Sequence, residues 1–306
     1  MSTRSRRAFT LFQLLVIIAI LAVLLGILLP ALARVRMAAA KAQSSNNLRQ
    51  ISLGVISYAD DHQAALPPGN DDNNFSAAAR LLPYLDQKNL AETIDFKKSI
   101  DDRANAAARK TIIRTFLNPN DPIQAVTDKY GATNYLFNAG TKASLTDNDG
   151  VFYQNSKARF PASIPDGTSN TIFVVETLKG DGQKKAVDVR RQHVAYKKDA
   201  LKELKEDAGA QDFKEGKHIA GDRCASWMDG RFLQGTFNSG RRPNDSKPDV
   251  SCSGTGGWAG PRSLDNTILV GLGDGSVRSI NANKISFDTW KAAITPAGGE
   301  VLGDDW

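Results

Sequence analysis

The chain has 306 residues, 41% hydrophobic and 24% charged, a composition that excludes a wholly disordered protein. Its formal net charge is +6, but residues 1–49 contain seven of the 39 Lys and Arg residues and no Asp or Glu. The remaining chain therefore has 32 basic against 33 acidic side chains. A nearly neutral body argues against a nucleic-acid partner, whereas basic residues on both sides of an apolar segment are typical of a membrane interface.

Residues 8–33 contain no charged side chain. As a helix, 26 residues would extend about 39 Å, more than the ~30 Å hydrocarbon core of a bilayer. We predict that residues 9–33 form a transmembrane helix in contact with membrane lipid. The core of a signal peptide is shorter, about 7–15 residues. Because Ala31-Leu32-Ala33 has the small-x-small pattern of a cleavage site, secretion after cleavage behind Ala33 stays open as an alternative.

The basic residues predict the orientation of this helix. Arg4, Arg6 and Arg7 precede it and favour a cytoplasmic N-terminus, although Arg34 and Arg36 on the other side reduce the difference. We expect a single-pass protein of the inner (cytoplasmic) membrane whose body is extracytoplasmic, with the cell surface as a further location.

An apolar stripe continues beyond the apolar segment. Leu48, Ile51, Val55 and Tyr58 recur at helical spacing, and Pro67-Pro68-Gly69 follows. The pattern predicts that the helix continues to about residue 62, within a helical stalk of residues 34–66 that packs on the body.

Residues 67–306 are predicted to be an exported α+β domain, in which an antiparallel sheet covers the stripe. The patterns predict helices at 76–94 and 104–117, strands at 133–137, 150–153, 171–176, 266–272 and 276–280, and a closing helix from Ser286. Residues 178–217 are dense in both signs of charge and predict an inserted amphipathic helix with Leu201, Leu204 and Ala208 on one face.

The residues give few candidates for chemistry. Cys224 and Cys252 are the two cysteines, and an even pair in an exported chain predicts one disulfide, with two free thiols as the alternative. Asp147 and Asp149 precede Gly150 as in part of a calcium loop, but without the distal glutamate, so calcium is a weak candidate beside an ordinary turn. We expect no other metal and no cofactor. Hydrolase, nucleotide-binding and metalloprotease motifs are absent from the sequence, so we expect no enzyme.

The segment Arg6-Arg7-Ala8-Phe9-Thr10-Leu11-Phe12-Gln13-Leu14 resembles the processing site of type IV prepilins and pseudopilins. The resemblance implies that residues 1–8 are a basic leader, that prepilin peptidase cuts between Ala8 and Phe9, and that the new amino group of Phe9 is methylated. It also implies that residues 9–33 are the assembly helix of the subunit and that Pro30 matches the helix-kinking proline of pilins.

Two residues depart from that pattern. Ala8 replaces the usual glycine, and Gln13 replaces a glutamate that in this family is thought to meet the N-terminal amine of a neighbouring subunit. A carboxamide cannot neutralise that charge, so a minor or membrane-retained subunit is favoured over a major pilin.

Four further segments, SSNNLRQISLGVISYADDHQAALPPG, RLLPYLDQKNL, DGTSNTIFVVE and VGLGDGSVRSI, resemble successive landmarks of a prepilin-like family called domain of unknown function 1559. Where that family often has a histidine before its last Asp-Gly, this chain has Leu264, and Ser44 and Asn118 stand where cysteines are common. The resemblance implies a pilin-like exported protein and no particular activity.

Together these patterns predict a non-catalytic, membrane-anchored pilin-like subunit with prepilin peptidase and other pilin-like subunits as partners. A tethered extracytoplasmic binding module without a filament is the first alternative, and a secreted hydrolase released after Ala33 is the second.

Overall fold

A computed structural model describes residues 11–306. It shows an α+β protein in which one long N-terminal helix, α1 (Leu11–Asp61), is followed by short helices and two β-sheets. The chain divides into two compact units, one ending at Ala42 and the other formed by Gln43–Trp306. The predicted fold class is confirmed, while the predicted segment boundaries after residues 33 and 66 stay predictions.

The described part of the first unit consists of the first 32 residues of α1. Its side chains are exposed from Leu11 to Ala39, although the segment is strongly apolar, with a mean hydropathy of 3.1 over its most apolar window. By length and composition this helix can cross a membrane, and a signal sequence near an N-terminus would meet the same criterion. The finding is compatible with a single-pass anchor.

The second unit begins with the remaining part of α1, which packs on the body as the apolar stripe predicts. Leu48, Ile51 and Val55 are completely buried. On the facing strand, a Cβ atom added to Gly271 would lie 2.4 Å from Ser52 Oγ, so the close approach of helix and sheet requires glycine there. The helix ends at Asp61, close to the predicted residue 62.

The first sheet has five strands in the order β5-β1-β2-β8-β9. Neighbours pair antiparallel except β5, which runs parallel to β1, so the predicted antiparallel sheet is a mixed one. The hairpin of β8 and β9 forms around Gly273-Asp274-Gly275 as predicted, with Gly275 at φ +83°. The strands are β1 (Tyr135–Asn138), β2 (Ile172–Glu176), β5 (Thr236–Phe237), β8 (Thr267–Leu272) and β9 (Val277–Asn281).

Both faces of the first sheet are buried. Tyr135 and Phe137 join the cluster that contains the stripe of α1, whereas Leu136, between them, joins a cluster on the opposite face. This alternation follows from the two-residue period of a strand. The opposite face is covered partly by α6 (Phe287–Ala292), whose N-terminus is capped by Ser286 Oγ accepting from the backbone N–H of Thr289 at 3.1 Å.

The second sheet has four strands in the order β4-β3-β6-β7, with β3 and β6 parallel. It covers a small cluster that includes Val194, Val250 and Cys252. The strands are β3 (His193–Tyr196), β4 (Ile219–Ala220), β6 (Asp249–Cys252) and β7 (Gly257–Trp258).

The predicted amphipathic helix within residues 178–217 is wrong. This segment instead supplies β3, a 3₁₀ helix (Lys198–Glu203) and the short helix α5 (Ala210–Lys214). Gly209 interrupts any longer helix because its φ is +85° and an added Cβ would lie 2.7 Å from Val250 Cγ2. Leu201 and Leu204 are partly buried against the small cluster of the second sheet, so the segment belongs to the fold.

The other predicted helices are shorter than expected. Residues 76–94 form α2 (Ala77–Leu81), a 3₁₀ turn (Leu82–Tyr84) and α3 (Lys88–Ala91), and residues 104–117 retain only α4 (Ala106–Lys110) between two 3₁₀ turns. A tertiary contact lies just beyond the end of α4. Trp227 Nε1 donates to the carbonyl of Thr111 at 2.7 Å, and in a longer helix that carbonyl would accept a backbone hydrogen bond instead. The segment predicted as a strand at 150–153 lies in a loop.

Candidate functional site

The predicted processing residues, Ala8 and Phe9, lie outside the described residues. Gln13 and Pro30 both lie in the exposed apolar part of α1, and the helix continues through Pro30. The proposed roles of these four residues in cleavage, assembly and anchoring therefore stay predictions.

The two cysteines are buried free thiols, so the predicted disulfide is not formed in this structure. Cys224 packs in the cluster beneath α6, and Cys252 packs in the cluster of the second sheet. Burial raises the pKa of Cys224 to about 11 and also raises that of Cys252. Both thiols are therefore protonated at neutral pH.

The candidate calcium residues form a hydrogen-bonded turn. Both carboxylate oxygens of Asp149 accept from Thr141, from its backbone N–H at 2.6 Å and its hydroxyl at 2.7 Å. The Lys142 ammonium donates to the carbonyl of Asp147 at 2.9 Å. A cation would have to compete with these donors, and the described residues contain no group of three or more His, Cys, Asp or Glu side chains placed to hold a metal ion. The arrangement fits the Asx-rich turn better than a calcium loop.

A buried ion triad joins β6 to the loops beside it. Asp249 lies between two guanidinium groups, with Oδ2 2.7 Å from Arg223 Nη1 and Oδ1 2.5 Å from Arg262 Nη2, and all three side chains are fully buried. The arginines also donate to Thr177 Oγ1 and to the Lys247 carbonyl. Both oxygens of the Asp249 carboxylate are therefore occupied by arginines of the same chain, which indicates a structural role.

A second buried ion cluster centres on Asp121. One of its oxygens lies 2.9 Å from Arg191 Nη1 and the other 3.5 Å from Lys179 Nζ, and that second oxygen also accepts from Asn134 at 2.8 Å. Burial by itself would raise the pKa of Asp121, but the two cations and the hydrogen bonds hold it below its ordinary value. Burial lowers the pKa of Lys179, an effect that Asp121 opposes.

A cavity of about 520 Å³ opens above the Asp121 cluster, beside the part of α1 that belongs to the second unit. We call it the amide-lined cavity. Asp121 and Lys179 form part of its lining, and Arg114 lies on its wall. Thr115 and five carboxamide side chains also line it; the carboxamides are Gln43, Asn47, Gln50, Asn118 and Gln124.

Sequence patterns did not indicate this cavity or the two ion clusters. The cavity combines residues 43–50 of α1 with residues 114–124 and with Lys179, and no short motif joins these three segments. One available signal was the spacing of Gln43, Asn47 and Gln50, which places three amides on one face of a helix.

Comparison with protein families matches residues 33–284 to the family described as "Protein of unknown function (DUF1559)". The chain belongs to this family. The match covers the whole body except its last residues and begins at the end of the apolar segment. It confirms the resemblance that the body landmarks suggested, while the cleavage pattern at Ala8 and Phe9 lies outside the matched range.

Neither the curated proteins nor the solved structures contain a match to this chain.

Proposed function

We propose that the protein is a non-catalytic, membrane-anchored pilin-like subunit, minor or membrane-retained, of the inner membrane. Prepilin peptidase cuts between Ala8 and Phe9, the helix that follows anchors the chain in lipid and contacts other pilin-like subunits, and the body is extracytoplasmic.

The observation that supports this proposal best is the exposed apolar half of α1. Leu11 is 83% exposed and Leu29 is 64% exposed, values that water would disfavour along a whole helix. Lipid or the helices of neighbouring subunits would cover this surface. The prepilin-like residues before the helix and the family of the body favour the pilin-like form of anchoring over a plain anchor.

The proposed lack of catalysis is supported by the chemistry of the buried charges. Asp249 and Asp121 are each bound by two cations, so both carboxylates are occupied in stabilising the fold.

The first test is the N-terminus of the protein purified from its own membranes, determined by mass spectrometry. We expect a chain that begins at N-methylated Phe9. A chain that begins at Arg34 would show secretion and refute the anchor, and an intact Met1 would refute processing and leave a plain anchor.

The second test addresses assembly. Gln13→Glu should increase crosslinking to neighbouring subunits, because a carboxylate can neutralise the amine at a processed N-terminus. Asn46→Asp is the matched control, since it also changes an exposed amide of α1 to an acid but lies beyond the apolar segment. Equal crosslinking in wild type and Gln13→Glu would mean that the helix acts only as a tether.

A tethered extracytoplasmic binding module without a filament is the second candidate function. The amide-lined cavity favours it, because a polar concavity of this volume on the body offers a place for a small ligand. A filament-free protein that is still anchored and binds a ligand would support this candidate.

A further inference from the structure

The amide-lined cavity has the size of a small-molecule site. Its volume of about 520 Å³ lies within the range of about 300–1,000 Å³ that ligand sites occupy. All of its lining residues belong to the second unit, between Gln43 and Lys179. A ligand there would touch the second unit alone, so the inference does not depend on whether the protein is processed or assembled.

One part of the cavity is fixed by internal hydrogen bonds. Asn47 Nδ2 donates to the carbonyl of Leu117 at 3.0 Å, and its Oδ1 accepts from Gln43 Nε2 at 3.0 Å. Asp121 is bound by the cations described above and also accepts from the backbone N–H of Ile123 at 3.2 Å. These residues form a rigid surface, which reduces the entropy that ligand binding would cost.

The other part of the cavity has polar groups that the protein does not use. Throughout residues 11–306, the side chains of Gln50, Arg114 and Gln124 make no hydrogen bond or ion pair with another side chain or with the backbone. Gln43 donates its amide N–H to Asn47, which leaves its side-chain carbonyl oxygen available to accept a hydrogen bond from a ligand. Donors and acceptors therefore face the same space, which suits a ligand with several neutral polar groups.

The charged residues of the lining indicate which sign of charge a ligand has. The lining contains two cations, Arg114 and Lys179, and one anion, Asp121. Asp121 is already shared by Lys179 and Arg191, so it cannot also neutralise Arg114. Glu176 accepts from Ser44 and is not part of the lining. Arg114 is thus a guanidinium on the cavity wall that has no counterion in the described structure.

We propose that the amide-lined cavity binds a small carboxylate that also has several neutral polar groups. The guanidinium of Arg114 pairs with the carboxylate of the ligand, a planar partner that it can hold through two parallel hydrogen bonds. The carboxamides of Gln43, Gln50 and Gln124 bind the neutral groups. Lys179 also lines the cavity, but its side chain is only 2% exposed and is bound to Asp121 and Asn134, so Arg114 is the cation that a ligand can reach.

Two kinds of molecule share this chemistry. A short peptide with a free C-terminus combines a carboxylate with amides, and an acidic sugar combines a carboxylate with hydroxyls. Acetyl-trialanine and galacturonate represent them, and their neutral counterparts, acetyl-trialanine amide and galacturonate methyl ester, are matched probes that differ only at the carboxylate.

Calorimetric titration of the full chain in nonionic detergent tests the proposal. We expect one of the two acids to bind and its neutral counterpart to bind at least about tenfold more weakly, because the neutral form cannot form the charged hydrogen bonds with the Arg114 guanidinium. The acid that binds shows whether the ligand is a short peptide or an acidic sugar.

Variants locate the binding in the cavity. Arg114→Gln should weaken binding of the acid at least about tenfold. The control is Arg103→Gln, because Arg103 and Arg114 are both exposed and each begins a three-residue 3₁₀ helix, but Arg103 does not line the cavity. Gln50→Glu should also weaken binding, by adding a negative charge, whereas Asn46→Asp on the same helix should not.

The proposal fails if neither acid binds at millimolar concentration, if acid and neutral forms bind alike, or if Arg114→Gln binds as the wild type does. The N-terminal mass and the subunit crosslinks described above are separate measurements, so failure here leaves the proposed anchoring function unaffected. An unchanged tryptophan fluorescence spectrum of each variant verifies that it is folded.

Discussion

Replacing Asp249 tests the buried ion triad most directly. Asp249→Asn keeps the size of the side chain but removes the charge that Arg223 and Arg262 share at 2.7 and 2.5 Å. All three side chains are fully buried, so water cannot solvate the two guanidinium groups after the change.

The expected loss is large. Removing one partner of a buried ion pair typically costs about 3–5 kcal/mol, and here one substitution removes the partner of two cations. An exposed ion pair typically contributes less than about 1 kcal/mol. Glu215→Gln is therefore the matched control, because Glu215 is also paired, with Lys217 at 2.6 Å, but both side chains are largely exposed.

Urea unfolding of the full chain in nonionic detergent, followed by tryptophan fluorescence, measures the difference. Trp227 and Trp290 are fully buried and report the loss of the core. A loss below about 1 kcal/mol for Asp249→Asn would refute the reasoning that an unpaired buried guanidinium is costly here. Equal losses for Asp249→Asn and Glu215→Gln would refute it as well.

Three further predictions concern stability and thiol chemistry. Asp121→Asn should destabilise the protein at neutral pH, and this deficit should shrink as the pH falls below 3.8 towards the lowered folded pKa of Asp121, because its carboxylate stabilises the fold only while it is ionised. A urea-unfolding deficit that does not change with acidification would contradict this. Ile51→Ala should lower the free energy of unfolding by about 2–5 kcal/mol in the same assay. Leu53 is 44% exposed on the same helix, so Leu53→Ala should lower it by under about 1 kcal/mol. Similar losses for the two variants would show that α1 does not pack as described. Iodoacetamide should label Cys224 and Cys252 only after unfolding, without a reductant; labelling that requires a reductant would establish the disulfide.

The family match and the structure give different kinds of information about the protein. The family match covers residues 33–284 and supplies no activity. The amide-lined cavity and the exposed apolar half of α1 lie in different units, so they give two properties that can be measured separately.

Local patterns predicted the elements whose formation depends on neighbours in the chain. The apolar run and the stripe through Leu48 and Val55 predicted α1, Asp274-Gly275 predicted the turn between β8 and β9, and Ser286 predicted the start of α6. In each case the decisive interactions span only a few residues.

The tertiary structure decided the elements whose partners are distant. Residues 178–217 have a helical pattern, but β3 pairs there with β6, more than 50 positions later. Gly209, which lies close to Val250, separates the 3₁₀ helix from α5 and prevents one long helix. Likewise, Asp249 meets its arginines only after the strands and loops around it have folded.

The sequence alone determined that the chain has a membrane-compatible helix and an α+β body, because composition and periodicity are local properties. Only the tertiary structure produced the amide-lined cavity, in which α1, the segment around Arg114 and Lys179 come together. The physical reason is that a binding site depends on distances between side chains, and those distances exist only once burial of the apolar core has brought remote segments into contact.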